Sequence, residues 1–184
     1  TASFAEIREV FERACGSIES CDLMTSYRSS PEITALFTSL LDDEKRVRVE
    51  SVQPAGTDPV IIECADDIDY AAQLRAAIEE ALEDRCLAAI IAPDARRMAK
   101  LEDMLGGLPI VIPARKEAIP DHGVVLLDIA LAKGLEFDQV IVPDVQQRSY
   151  PDETLARHRL YTAISRATRK VTLIANGKLT KLLG

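Results

Sequence analysis

The amino-acid sequence predicts an α/β fold in which a mostly parallel sheet is covered by helices on both faces. Aliphatic runs such as LAAIIA (87–92) and VVLL (124–127) are apolar at consecutive positions, the pattern of strands buried on both sides. Segments of helical periodicity alternate with them, which implies strand–helix–strand units. Hydrophobic residues make up 47% of the 184 positions but aromatics only 4%, so the interior is aliphatic. Length and composition fit one globular domain over residues 1–184.

Each element has its own signal. Phe4, Ile7, Val10, Phe11 and Ala14 fall at helical spacing, Ser3 and Glu6 stand as in a capping box, and Gly16 ends the run. A short strand is expected at 22–25. Ser30 then caps and Pro31 opens a helix reaching Leu41. Strands follow at 47–52 and 60–64, with QPAGTDP (53–59) a surface loop between them. The next helix, 67–84, sets Ile68, Ala71, Ala72, Leu74, Ala77, Ile78, Ala81 and Leu82 on or near its inner face. Pro93 closes the strand at 87–92, and Gly106 and Gly107 stop a helix over 94–105. Strands at 110–112, 124–129 and 139–142, a helix over 152–168, a strand at 170–175 and a short final helix complete the alternation.

Several function classes fall away. The longest nearly apolar run, 86–93, is too short to cross a bilayer, and the first residues have neither a basic start nor a signal-like stretch. A cytosolic protein without membrane contact is expected. Cys15, Cys21, Cys64 and Cys86 form no C-x-x-C pair, and His122 and His158 stand far apart. Buried, reduced thiols and no metal site are therefore expected. The net charge of −8 argues against a surface that grips nucleic acid everywhere. From Lys133 onward, however, nine Lys/Arg face five Asp/Glu, a balance of +4 that leaves −12 for the first 132 residues. Nucleotide and nucleic-acid contacts are accordingly expected in the C-terminal third.

Three segments carry candidate chemistry. SYRSSPEI (26–33) sets Tyr27 and Arg28 before a capped helix, where such a pair also serves packing and a solvated charge. LAKGLEF (131–137) carries Lys133 and Glu136 toward an apolar strand, and Gly134 permits a backbone conformation or close approach that a side chain forbids. As plain structure it is a surface turn. YTAISRAT (161–168) presents Arg166 at a helix end, where a cation also complements the helix dipole. Arginine stays charged and engages phosphate oxygens with a bidentate fork. No segment matches the phosphate loop G-x-x-x-x-G-K-[ST].

In this order the three segments resemble motifs IV, V and VI of the UvrD/Rep-type superfamily 1 DNA helicases, which lie in the second of that motor's two RecA-like domains. The resemblance runs from SYRSSPEI to the C-terminus. It implies a three-layer RecA-like (P-loop NTPase-type) sandwich with a mostly parallel sheet, lacking its own phosphate loop. It also implies ATP and Mg2+ as cofactors. Tyr27 would stack on adenine, Glu136 beside Gly134 would accept from the ribose, and Arg28 and Arg166 would be the catalytic pair at the γ-phosphate. The phosphate loop and magnesium ligands would come from an upstream RecA-like domain, the first partner.

The second implied partner is single-stranded DNA, held weakly by this domain alone. Where many relatives carry Thr-x-His on the DNA track, this chain has Asp128 and Ala130. Ser26 also replaces the family's Asn, and Ser165 its Thr. Asp128 superficially resembles a Walker B acid, but without a phosphate loop it reads as a strand-end residue. The interval from Arg28 to Lys133 leaves no room for the large accessory domain of UvrD-like enzymes. In this respect the chain is similar to the HelD-type (helicase IV-like) branch, ATPases that associate with RNA polymerase. Three functions stay open: a DNA helicase or translocase, a HelD-type remodeller of RNA polymerase, and a nonenzymatic interaction domain of helicase fold.

Overall fold

The computed structural model describes residues 4–19, 25–41 and 49–184. The chain passes through α1 (Phe4–Cys15), β1 (Thr25–Ser26), α2 (Pro31–Ser39), β2 (Glu50–Ser51), β3 (Val60–Cys64), α3 (Asp67–Glu83), β4 (Leu87–Ala92), α4 (Ala95–Met104) and β5 (Ile110–Val111). It continues through β6 (Gly123–Asp128), α5 (Ile129–Ala132), β7 (Phe137–Pro143), α6 (Thr154–Ile164) and β8 (Ala167–Asn176), with 3-10 turns at Lys116–Ala118 and Lys181–Leu183. Six strands form one sheet in the order β3-β8-β7-β4-β6-β5, every neighbouring pair parallel. β1 and β2 pair with each other in parallel. This is the α/β sandwich that the alternation predicts.

Its three layers follow from the strand period. Ala88, Ile90 and Ala92 of β4 face Tyr70, Leu74 and Ile78 of α3 and Leu101 of α4. Ala89 and Ile91 face the opposite way, toward Ile33 and Phe37 of α2 and Leu160 and Ile164 of α6. Successive strand side chains point to opposite faces, so only a run apolar at every position satisfies both layers. Each fully buried Leu or Ile contributes about 2 kcal/mol. Two helix starts are capped by carboxylates: Asp66 accepts from the N–H groups of Ile68 and Asp69, both at 2.9 Å, and Asp94 from that of Arg97 at 2.8 Å. Ser30, expected to cap α2, stands at the N-cap position but makes no side-chain capping bond.

Several expectations need correction. Ile68 is 83% exposed, because the buried stripe of α3 runs through Tyr70, Leu74, Ile78 and Ala81, and a residue two positions before Tyr70 faces the other side. The helix expected over 152–168 ends at Ile164, since Ala167 pairs with Phe137 and draws the chain into β8. Ile129 opens α5 rather than ending a strand: the Asp128 carboxylate accepts from the Leu131 N–H at 2.8 Å and caps that turn. α1 forms and Gly16 ends it at φ +85°, but Ile7, Val10 and Phe11 are exposed. Ser3, residues 22–24 of the first expected strand and residues 47–48 of the second lie outside the described residues; the described parts hold the two-residue strands β1 and β2. Cys64 is buried and Cys86 partly so, whereas Cys15 is exposed; Cys21 lies outside the described residues. Among the described residues no helix is long and apolar enough to cross a membrane.

Candidate functional site

Three segments far apart in sequence meet at the edge of the sheet where β7 and β8 begin. The first is pinned by two serines. Ser29 donates its hydroxyl to the Ala167 carbonyl at 2.6 Å, and the Ser30 N–H donates to Thr168 at 3.1 Å, which lays Arg28 beside the start of β8. Gln53 Nε2 holds the Tyr27 carbonyl at 2.5 Å. The second and third segments are stitched together: the Phe137 N–H donates to the Arg166 carbonyl at 3.0 Å, and Arg166 Nη1 donates to the Leu135 carbonyl at 3.3 Å. Arg28 Nε and Glu136 Oε1 then stand 2.6 Å apart. With Ser26 and Tyr27 they line an open cleft of about 420 Å³, and the Tyr27 ring beside it is 74% exposed.

Arg166 lies just past the end of α6 rather than within it, and is anchored there. Its Nε donates to the Thr162 carbonyl at 3.1 Å and its Nη2 to Ser165 Oγ at 3.0 Å. With the bond to Leu135, three of the guanidinium's five N–H donors are used. Burial and then the neighbouring Arg28 pull its pKa below the usual guanidinium value, against the opposing pull of Glu136 and Tyr161. Arg166 does not line the cleft itself but interacts electrostatically with both Arg28 and Glu136, so this edge carries two guanidiniums against one carboxylate, and an anion arriving there relieves repulsion already present. Two cations, one acceptor and an open aromatic face can together engage an anionic ligand that also carries a flat ring and hydroxyl groups.

Gly134 does not line this cleft; it shapes the approach to Glu136. Its φ is +83°, and an added Cβ would stand 3.5 Å from Lys116 Nζ, ordinary contact distance. The constraint is therefore conformational, since a left-handed backbone costs other residues about 1–2 kcal/mol. Lys116 Nζ also donates to the Lys133 carbonyl at 2.5 Å, tying the turn to the chain before β6. Sequence reasoning missed Ser29 and Gln53, whose bonding partners are 138 and 26 residues away. Only their short range to the Tyr-Arg pair marked Ser29, and nothing along the chain marks Gln53. A larger hollow of about 650 Å³ lies under the 53–57 loop, but its Asp84 is bonded to Gln139 and its Lys170 to Glu80. Among the described residues no group of three or more His, Cys, Asp or Glu is placed to hold a metal ion.

Comparison with known proteins bears on the same edge. No curated protein matches the chain. The C-terminal domain of a possible DNA helicase from Lactobacillus plantarum WCFS1 is similar, with 28% identity and a TM-score of 0.73 over 86% of this chain and 92% of that one. S. tokodaii Xpd4 overlaps at a TM-score of 0.38 and 12% identity over 69% of this chain and 36% of its own, too little to bear on function. Residues 123–174, which carry Gly134, Glu136 and Arg166, match the UvrD-like helicase C-terminal domain.

Proposed function

We propose that the chain is the C-terminal, second RecA-like motor domain of an ATP-dependent superfamily 1 DNA helicase or translocase. Its similarity to UvrD-like helicase C-terminal domains supports a motor-domain role. The observation that carries the finer reading is the convergence of Tyr27, Arg28, Glu136 and Arg166 on one positive, open edge. In this reading ATP lies between that edge and an upstream RecA-like domain, which supplies the phosphate loop, Walker B acid, catalytic base and magnesium ligands. Tyr27 offers its ring to adenine, Glu136 its carboxylate to ribose hydroxyls, and Arg28 and Arg166 their charge to the terminal phosphate. Bound ATP supplies the phosphoryl group whose transfer is converted to domain motion. The Arg28 and Glu136 side chains are 44% and 49% exposed, so their mutual pairing contributes little and is readily exchanged for ligand contacts.

The isolated chain is expected to hydrolyse ATP negligibly, because it has sensing arginines and no phosphate cradle. Steady-state assays on the purified chain check this. Turnover on the order of 1 s⁻¹, an ordinary enzyme value, would overturn the half-motor reading.

A HelD-type ATPase acting on RNA polymerase is the second reading. It is favoured by Asp128, whose carboxylate is spent on capping α5, and by the bare methyl of Ala130, at positions where relatives contact DNA. In the full-length protein this reading predicts stronger ATPase stimulation and co-elution with RNA polymerase than with single-stranded DNA. Stimulation by DNA with no response to polymerase decides for the ordinary helicase.

A further inference from the structure

Among the described residues, hydrogen bonds from the Tyr27–Arg28 segment to the six-stranded sheet begin only at Ser29, two residues beyond Tyr27. What holds the chain on its other side is the run 51–56. The Val52 N–H donates to the Ser26 carbonyl at 3.0 Å, Gln53 Nε2 to that of Tyr27 at 2.5 Å, and Ser51 Oγ to that of Ser29 at 2.6 Å. Carbonyls before, within and after the Tyr-Arg pair are thus engaged from one short stretch. Ser51 Oγ also accepts from the Gln53 N–H at 3.1 Å, and the Gly56 N–H donates to Glu32 Oε2 at 3.0 Å, which fastens the far end of the run to α2. The Tyr27 ring is largely exposed, so its place is set by its backbone and not by packing.

The composition of the loop suits this task. Pro54 biases Gln53 toward an extended backbone and narrows the conformations open to the loop. Gly56 has no left-handed φ, so it is space and not conformation that calls for a glycine there. A Cβ added to it would stand 2.8 Å from Ser30 Cβ, 2.9 Å from Ser30 Oγ and 3.4 Å from the Arg169 carbonyl oxygen. Only a residue without a side chain lets the loop lie against the start of α2 and of β8 at once. Residues 52–58 are all exposed and the hollow of about 650 Å³ lies beneath them, so these bonds and this one close contact hold the loop, with little burial to help. We propose that residues 53–56 form a clasp that positions Tyr27 for the flat base of a nucleotide, with Gln53 as the positioning residue and Gly56 as the seat that keeps it within reach of the Tyr27 carbonyl. The clasp rests on the nucleotide reading of this edge given above. Its physical gain is preorganisation: a ring that is already placed does not draw its ordering entropy from the binding free energy.

The test is a double-mutant cycle on the ATPase of the full-length protein: the parent, Q53A, Y27A and Q53A/Y27A, with a thermal melt of each. Q53A is expected to raise KM for ATP about 2- to 10-fold, the worth of ordering one side chain, while kcat changes less than about 2-fold. In the Y27A background the same change is expected to add nothing, because Gln53 acts through that ring. A merely structural role would lower Tm and leave the two effects on KM multiplicative. G56A, whose methyl group pushes the loop off Ser30, is expected to raise KM in the same direction. Should it also lower Tm, the exposed Gln53 side chain still carries the test. An unchanged KM in Q53A, a fall in kcat in place of the rise in KM, or a double variant whose KM is the product of the single effects overturns the proposal. The two readings fail differently. A Y27A that leaves KM unchanged overturns the nucleotide reading and the clasp with it, whereas a Y27A that raises KM beside a Q53A that does not overturns the clasp alone.

Discussion

Replacing Arg166 by alanine in the full-length protein is expected to lower the ATPase kcat by about 10³-fold while leaving KM for ATP within a few-fold. The guanidinium is held by Thr162, Ser165 and Leu135 before any ligand arrives, so its charge is placed without further ordering. Tyr27→Ala should show the complementary split. In the proposed reading its exposed ring contributes ground-state stacking of about 1–3 kcal/mol, so KM is expected to rise roughly tenfold or more while kcat changes little. Because alanine at 166 also removes three hydrogen bonds, Arg166→Lys and a thermal melt of each variant separate lost chemistry from lost stability. An unchanged kcat in folded Arg166→Ala removes the arginine from the reaction.

The second large effect is on stability. Asp144→Ala is expected to destabilise the chain by about 3–5 kcal/mol, read as a lower urea midpoint at unchanged slope. Burial pushes the Arg97 pKa down, but bonding and attraction to Asp144 more than reverse this and leave it raised. Without the carboxylate a guanidinium whose side chain is only 24% exposed has no counter-charge. Asp144 also sits at φ +61°, a left-handed conformation that Asp and Asn accept better than alanine. Asp144→Asn keeps that tolerance and the side-chain shape, so its smaller loss isolates the charge. A loss below about 1 kcal/mol in Asp144→Ala would show that the pair adds nothing to holding α4 against the end of β7.

Strands were the most legible elements. β4 begins and ends as its apolar run does, because burial on both faces leaves no polar position inside it and Pro93 stands at its limit; β3, an edge strand with Glu63 inside it, begins just after Pro59. Helix limits were less so. Local propensity carries α6 on toward Thr168, but pairing of Phe137 with Ala167 turns the chain after Arg166. In α3 the composition near Ile68 looks apolar, and only packing against the sheet selects the stripe that begins at Tyr70.

The sequence by itself determined the alternation of strands and helices, the aliphatic interior and the residue types at the candidate site, because these depend on side-chain chemistry and spacing along the chain. Tertiary structure alone decided which of them meet. Arg28 and Glu136 pair because Ser29 bonds a carbonyl 138 residues away, a contact that no periodicity encodes. Charge counted along the chain concealed a cluster of Arg96, Lys100, Arg148 and Arg159 inside a strongly acidic total. The sheet exposes it, since adjacent parallel strands β4 and β7 end at the same edge and bring the segments that follow them into one neighbourhood.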